Sequence, residues 1–210
     1  MELKQIKNTP VDSNCYVVYD KAQGNECVVV DPGSEKNELL LEFLLKENLC
    51  PQYIILTHEH FDHCLGVEGL RVKYPQVKLV CSTECSNAVQ DKKWNHSVFF
   101  QQPGFELKEA DIKLEDVNWS LIWNGNQFEF YPALGHTSAG IIFSCGSLLF
   151  TGDELIKGIR TVTKLKTGSK EKLRDSVALF ESMKGKGMLV CSGHGETFDL
   201  DSYDINIVFG

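Results

Sequence analysis

Three of the six histidines in this chain fall inside His58-Glu59-His60-Phe61-Asp62-His63. Imidazole nitrogen and carboxylate oxygen are donors that borderline divalent cations such as zinc accept, with no thiolate required. Alternate residues leaving a strand project to one side, so His58 and His60 can reach one point. A helix start after them turns Asp62 and His63 toward a second point nearby. The plainer alternative is a polar turn in which Asp62 caps a helix. It leaves three imidazoles crowded together, and they repel once protonated. Three more residues of the same chemistry stand in Gly135-His136, Gly152-Asp153 and Gly193-His194. Each follows an apolar strand-like run and a glycine, which allows a sharp turn that aims the next side chain. Any one alone is an ordinary turn. Together with the first cluster they make seven candidate ligands. His96, in the polar run Trp94-Asn95-His96-Ser97, reads as a surface residue.

Strands with helices between them must position these groups. Cys15–Tyr19 and Cys27–Asp31 are short β-branched runs with Gly24-Asn25 between them. Asp31-Pro32-Gly33-Ser34 reads as a turn, with Ser34 capping a helix from about Glu35 to Glu47. Tyr53–Thr57 is a nearly all-apolar strand, the pattern of a strand covered on both faces. A loop over 58–63 leads into a helical stretch ending near Tyr74-Pro75. Val77–Cys81 is a strand, and Thr83 is placed to cap a helix toward Lys93. Pro103-Gly104 breaks the ambiguous stretch between Trp94 and Glu109. Strands follow at Ile112–Leu114, Gln127–Tyr131, Ile141–Cys145 and Ser147–Phe150. Ser169 caps a helix through about Met183, Met188–Cys191 is a buried strand, and the last ten residues read as a strand or tail. This order predicts two sheets with helices outside, in one domain over residues 1–210.

Composition excludes several function classes. The chain has 210 residues, 42% of them hydrophobic and 24% charged, which is globular and excludes disorder or coiled coil throughout. Its net charge of −8 opposes general nucleic-acid binding and a basic membrane-surface role. The first ten residues hold no apolar leader segment and no apolar run approaches membrane-spanning length, so the expectation is a cytoplasmic protein without membrane association, acting on a small molecule. Eight cysteines without a C-x-x-C pair read as reduced core thiols rather than a disulfide scaffold. Cys81 and Cys85 have helical chelate spacing, but no second pair completes a four-ligand site.

The ordered set His58-x-His60-x-Asp62-His63, Gly135-His136, Gly152-Asp153, Gly193-His194 resembles the metallo-β-lactamase superfamily in its binuclear hydrolase form. The resemblance covers nearly the whole chain, with successive elements offset by 73, 17 and 41 positions from His63 through His136 and Asp153 to His194. It implies an α+β fold, a four-layer αβ/βα sandwich of two mixed β-sheets flanked by helices. It further implies that His58, His60 and His136 bind one metal, that Asp62, His63 and His194 bind a second, and that Asp153 bridges them. The implied cofactors are two divalent metal ions, zinc by donor preference, with iron or manganese accepted by the same donors. Water shared by two such ions about 3.5–4 Å apart is acidified toward neutrality. Asp62, besides ligating, takes the catalytic role of orienting that water and accepting its proton. No G-x-S-x-G nucleophile elbow is present.

His60 stands where oxygen-reducing diiron members of the family carry Glu, and both His63 and Asp153 are present where the β-lactamases usually lack one. The chain is also too short for the inserted domain of nuclease members. The pattern looks most like the short glyoxalase II-like (hydroxyacylglutathione hydrolase-like) proteins, which hydrolyse thioesters. The alternative within the family is a mononuclear iron persulfide dioxygenase. Two departures stand out. Only 16 residues follow His194, without the helical region that recognises glutathione in full-length relatives. The stretch Glu154–Lys166 lacks their aspartate-rich continuation. Its cations Lys157, Arg160, Lys164 and Lys166 fit either a solvated basic loop or a face toward an anionic substrate, and Asn14 is a candidate for the site mouth.

Overall fold

A computed structural model describes residues 1–100, 102–115 and 119–209. The chain divides into two compact units, Met1–Leu114 and Glu115–Gly210.

The first unit is built on a mixed six-stranded sheet in the order β1-β2-β3-β4-β5-β6. Its strands are β1 (Glu2–Lys7), β2 (Asn14–Tyr19), β3 (Glu26–Val30), β4 (Cys50–Ile55), β5 (Lys78–Ser82) and β6 (Ile112–Leu114). The first three pair antiparallel; β3, β4, β5 and β6 run parallel. Parallel neighbours end at the same edge, so the residues after β3 and β4 lie side by side, where open α/β sheets build their sites. Asp31 N–H donates to Ile55 O there at 3.1 Å. The helices are α1 (Glu38–Lys46), α2 (Phe61–Cys64), α3 (Val67–Lys73), α4 (Thr83–Ala88) and α5 (Ser97–Phe100).

Several expected boundaries move, each for a local reason. Ser34 does not cap α1. Its hydroxyl accepts from Thr9 N–H at 2.9 Å and donates to Asn8 Oδ1 at 3.1 Å, and α1 begins after Asn37, which is left-handed at φ 51°. The stretch after the histidine cluster is two short helices, because Gly66 between them is held by Pro32 O and by the Asn37 amide. Ser82, not Thr83, caps α4, accepting from Cys85 N–H at 3.0 Å.

The second unit carries a six-stranded sheet in the order β12-β11-β10-β9-β8-β7. Its strands are β7 (Ser120–Trp123), β8 (Asn126–Pro132), β9 (Ile141–Cys145), β10 (Leu148–Gly152), β11 (Leu189–Ser192) and β12 (Phe198–Asp199). Only β10 and β11 pair parallel; the other neighbours are antiparallel. It follows that β8, β10 and β11 all end at one edge. Side chains alternate faces along β9 and β10. Ile142 and Leu149 join Val190, Leu173, Phe180 and Met183 in a core beneath α6 (Lys170–Met183). Phe143 and Phe150 stack on the opposite face at 4.7 Å. The expected strand or tail at the C-terminus is a 3-10 turn over Ile205–Phe209, whose Ile205 and Val208 enter that same core. The expected two mixed sheets flanked by helices are present, one in each unit.

Candidate metal centre

The first ligand group sits just past the end of β4. His58 and His60 rings lie 4.7 Å apart, and His58 and His63 rings 4.2 Å apart. All three are buried, whereas Asp62 is part-exposed. One carboxylate orients two of the rings. Asp31 Oδ1 accepts from Thr57 N–H at 2.8 Å, and its Oδ2 accepts from Thr57 Oγ1 at 2.6 Å. His63 Nδ1 lies 3.1 Å from the same Oδ2. The Thr57 hydroxyl has spent its proton on Asp31, so it accepts from His58 Nδ1–H at 3.0 Å. Both imidazoles are thereby fixed as the Nδ1–H tautomer, which puts on Nε2 the lone pair that a metal would take. A carboxylate behind a histidine is the usual support of a metal-ligating ring. Backbone packing holds Asp62 as well: its carbonyl accepts from Ser13 Oγ at 2.6 Å. A Cβ at Gly33 would stand 1.6 Å from that carbonyl oxygen, so only glycine permits the approach.

The second group comes from the shared edge of β8, β10 and β11. His136, Asp153 and His194 follow those strands, and Gly193 N–H ties two of the loops by donating to Gly152 O at 2.7 Å. His136 Nδ1 bonds Val162 O at 2.8 Å, which again puts on Nε2 the lone pair that a metal would take. His136 Nε2 and His194 Nε2 lie 3.7 and 3.5 Å from the same oxygen, Asp153 Oδ2. In the first unit His63 Nε2 lies 3.7 Å from Asp62 Oδ2. These separations exceed ordinary N–H···O bonds of about 2.7–3.2 Å. Donors around a tetrahedral ion at about 2.0–2.2 Å sit roughly 3.3–3.6 Å apart. Donor type, tautomer and spacing thus fit divalent metal.

The model of the metallo-beta-lactamase superfamily matches residues 8–194. The chain belongs to the metallo-beta-lactamase superfamily. Hydroxyacylglutathione hydrolase of Buchnera aphidicola subsp. Baizongia pistaciae (strain Bp) is 25% identical over 181 residues, 86% of this chain and 62% of that protein. The chain therefore spans about three fifths of that curated relative's length. The crystal structure of BLEG-1 B3 metallo-beta-lactamase is similar at TM-score 0.89 and 27% identity, with 100% of both chains covered. TTHA1623 in a di-iron-bound form is similar at TM-score 0.78 and 23% identity over 94% of each chain. ETHE1 from Myxococcus xanthus gives TM-score 0.76 and 20% identity, covering 100% of this chain and 88% of that one.

Two carboxylates of this superfamily member escaped sequence reasoning. Asp31 reads as a turn residue, yet it is buried and left-handed at φ 49°. Neither its burial nor its backbone conformation is written in the residues beside it. Glu154, beside Asp153, is also buried. Its Oε1 accepts from Gly135 N–H at 2.9 Å and its Oε2 from His136 N–H at 2.8 Å, so it holds the His136 loop. Burial pushes its carboxyl upward, opposed by the Ser176 hydroxyl and these two amides. Two expectations are corrected. His96 is not a plain surface residue: it is half-buried, left-handed at φ 63°, and stacked on His60 at 4.5 Å. Asn14 does not open onto a site mouth: it is buried, bonded to Gln5 Nε2 at 2.8 Å and to the Tyr16 hydroxyl at 3.2 Å.

Proposed function

We propose that the two ligand groups form one binuclear centre and that the chain is a metal-dependent hydrolase of a small thioester or a related ester or lactone. One observation carries this reading: all seven ligand positions of the binuclear pattern are filled in a superfamily member. The similarity to a hydroxyacylglutathione hydrolase over 181 residues supports the thioester class. In this assignment His58, His60 and His136 hold one cation, Asp62, His63 and His194 hold the other, and Asp153 bridges. Bound there, two divalent ions supply Lewis acidity that polarises a carbonyl and acidifies water.

The chain's own groups supply orientation and proton transfer. Asp31, Thr57 and the Val162 carbonyl hold three imidazoles with Nε2 forward. Asp62, part-exposed and the only carboxylate of its three-residue group, accepts the proton of the attacking water at a carboxylate oxygen. No serine or cysteine nucleophile is needed. Imidazole and carboxylate donors without thiolate favour zinc, and reduced core thiols favour a cytoplasmic setting.

The test is elemental analysis before any chelator is added, followed by turnover assays. The substrates are S-lactoylglutathione, acyl-coenzyme A thioesters, homoserine lactones and nitrocefin. Two zinc ions per chain are expected, with thioester turnover that Asp62→Asn lowers at least a hundredfold. One iron per chain with oxygen uptake on a persulfide overturns the hydrolase reading in favour of a persulfide dioxygenase. Turnover of nitrocefin alone, or of no substrate, overturns the substrate class.

A further inference from the structure

Six cations and one acid, Glu171, fall within Lys157–Lys172, in a chain whose net charge is −8. Two of the cations are neutralised at the surface: Lys157 pairs with Glu196 at 3.3 Å and Lys172 with Asp175 at 3.6 Å. Arg160, Lys164 and Lys170 behave differently. They line one cavity of about 240 Å³ in the second unit, and no ion pair or side-chain hydrogen bond engages any of them among the described residues. Val162, Leu173 and Val208 give that cavity an apolar wall, and among the described residues no acidic one lines it. Lys170 opens α6, so the positive end of that helix adds to the field. Like charges gathered against an apolar wall repel one another, and an anion between them reverses the sign of that energy. Whole ligand sites run to roughly 300–1,000 Å³, so this cavity suits one end of a larger molecule. It also adjoins the ligand group, because Val162 both lines it and accepts the His136 Nδ1–H bond at 2.8 Å.

We propose that the Arg160–Lys164–Lys170 cavity holds the phosphorylated end of the substrate's thiol half, making the substrate an acyl thioester of a coenzyme A-type thiol. This rests on the thioester reading above and specifies its leaving group. Phosphate is favoured over the carboxylates of glutathione for a stated reason. Glutathione carries an ammonium as well as its carboxylates, and none of the described residues lining the cavity is an acid that could meet it. Phosphate oxygens instead match an arginine fork and two lysine point charges.

The probe is adenosine 3′,5′-bisphosphate, which has neither thiol nor acyl group, titrated by calorimetry into the metal-replete protein. Arg160→Glu and Lys164→Glu are each expected to weaken binding tenfold or more, and added salt to weaken it in the parent protein. Lys186→Glu, the same charge change on an exposed loop elsewhere, is expected to alter it less than twofold. Thermal melts establish that each variant is folded, and Lys170→Gln gives a milder second reading. Unchanged affinity in the cavity variants, equal loss in Lys186→Glu, or stronger binding of glutathione overturns the proposal. Bisphosphate binding at this cavity without acyl-coenzyme A turnover sinks the hydrolase reading and leaves the subsite. Acyl-coenzyme A turnover with an unchanged KM in the cavity variants does the reverse.

Discussion

At the scale of single residues, the two groups of candidate ligands depend on carboxylates outside the seven-residue set, Asp31 and Glu154. Asp31 receives Thr57 and His63 and, through the Thr57 hydroxyl, orients His58. Asp31→Asn keeps the size of the side chain and tolerates the left-handed backbone at φ 49°. It removes the charge and turns one acceptor into a donor facing other donors. Losing a partner behind metal-bound histidines typically costs about 10–100-fold in metal affinity. A loss in that range is expected by competition with a chromophoric chelator, with the far-UV circular dichroism unchanged. Metal affinity within twofold of the parent protein refutes the role given to Asp31. The seven ligand-type residues were readable because each is announced by neighbours one or two positions away: a strand, a glycine, another histidine. Asp31 and Glu154 were not readable, since their partners lie 26 to 32 and 18 to 22 residues distant and only folding brings them together. His96 reads as a surface residue for the same reason, its stacking partner His60 being remote in sequence.

At the scale of elements, buried strands and the long helix were legible and edges were not. β3 and β10 are apolar in nearly every residue and announce themselves. β1 reads Glu-Leu-Lys-Gln-Ile-Lys and lies at the sheet edge with one buried residue, so its sequence carries little strand signal. Caps were legible where the hydroxyl has one role. Ser169 accepts from Lys172 N–H at 3.2 Å and starts α6 as the sequence implies. Ser34 failed as a cap because Asn8 and Thr9 engage its hydroxyl. This contrast yields a measurable difference. Ser169→Ala removes the partner of an N-terminal amide of α6 and is expected to cost about 1 kcal/mol in urea unfolding. The buried side of α6, with Leu173, Phe180 and Met183, is untouched by the change. An unchanged unfolding midpoint for Ser169→Ala contradicts the assigned cap.

At the scale of the whole molecule, the eight cysteines report both redox state and metal-linked stability. All eight are free thiols; seven are buried and Cys50 is exposed. Thiol reagents attack the thiolate, so burial protects twice, by excluding the reagent and by disfavouring the charge. Burial raises the thiols of Cys15 and Cys64 well above their ordinary range and pushes Cys145 to about 11 and Cys191 to about 12. An aromatic disulfide reagent at pH 8 is therefore expected to titrate one thiol rapidly in the native protein. All eight should react in denaturant without prior reduction. The slow thiols need local or global opening, and ligands that bind only the native state make opening rarer. Cys64 is the sensitive one, because it ends the short helix that carries Asp62 and His63, and its thiol donates to Glu59 O at 3.4 Å. Chelation is expected to accelerate alkylation of Cys64, followed by mass spectrometry of its peptide, more than that of Cys27 deep in β3. Two or more rapid native thiols contradict the burial assigned here. Equal acceleration of Cys64 and Cys27 separates a global loss of stability from the local dependence on metal that the ligand loop implies.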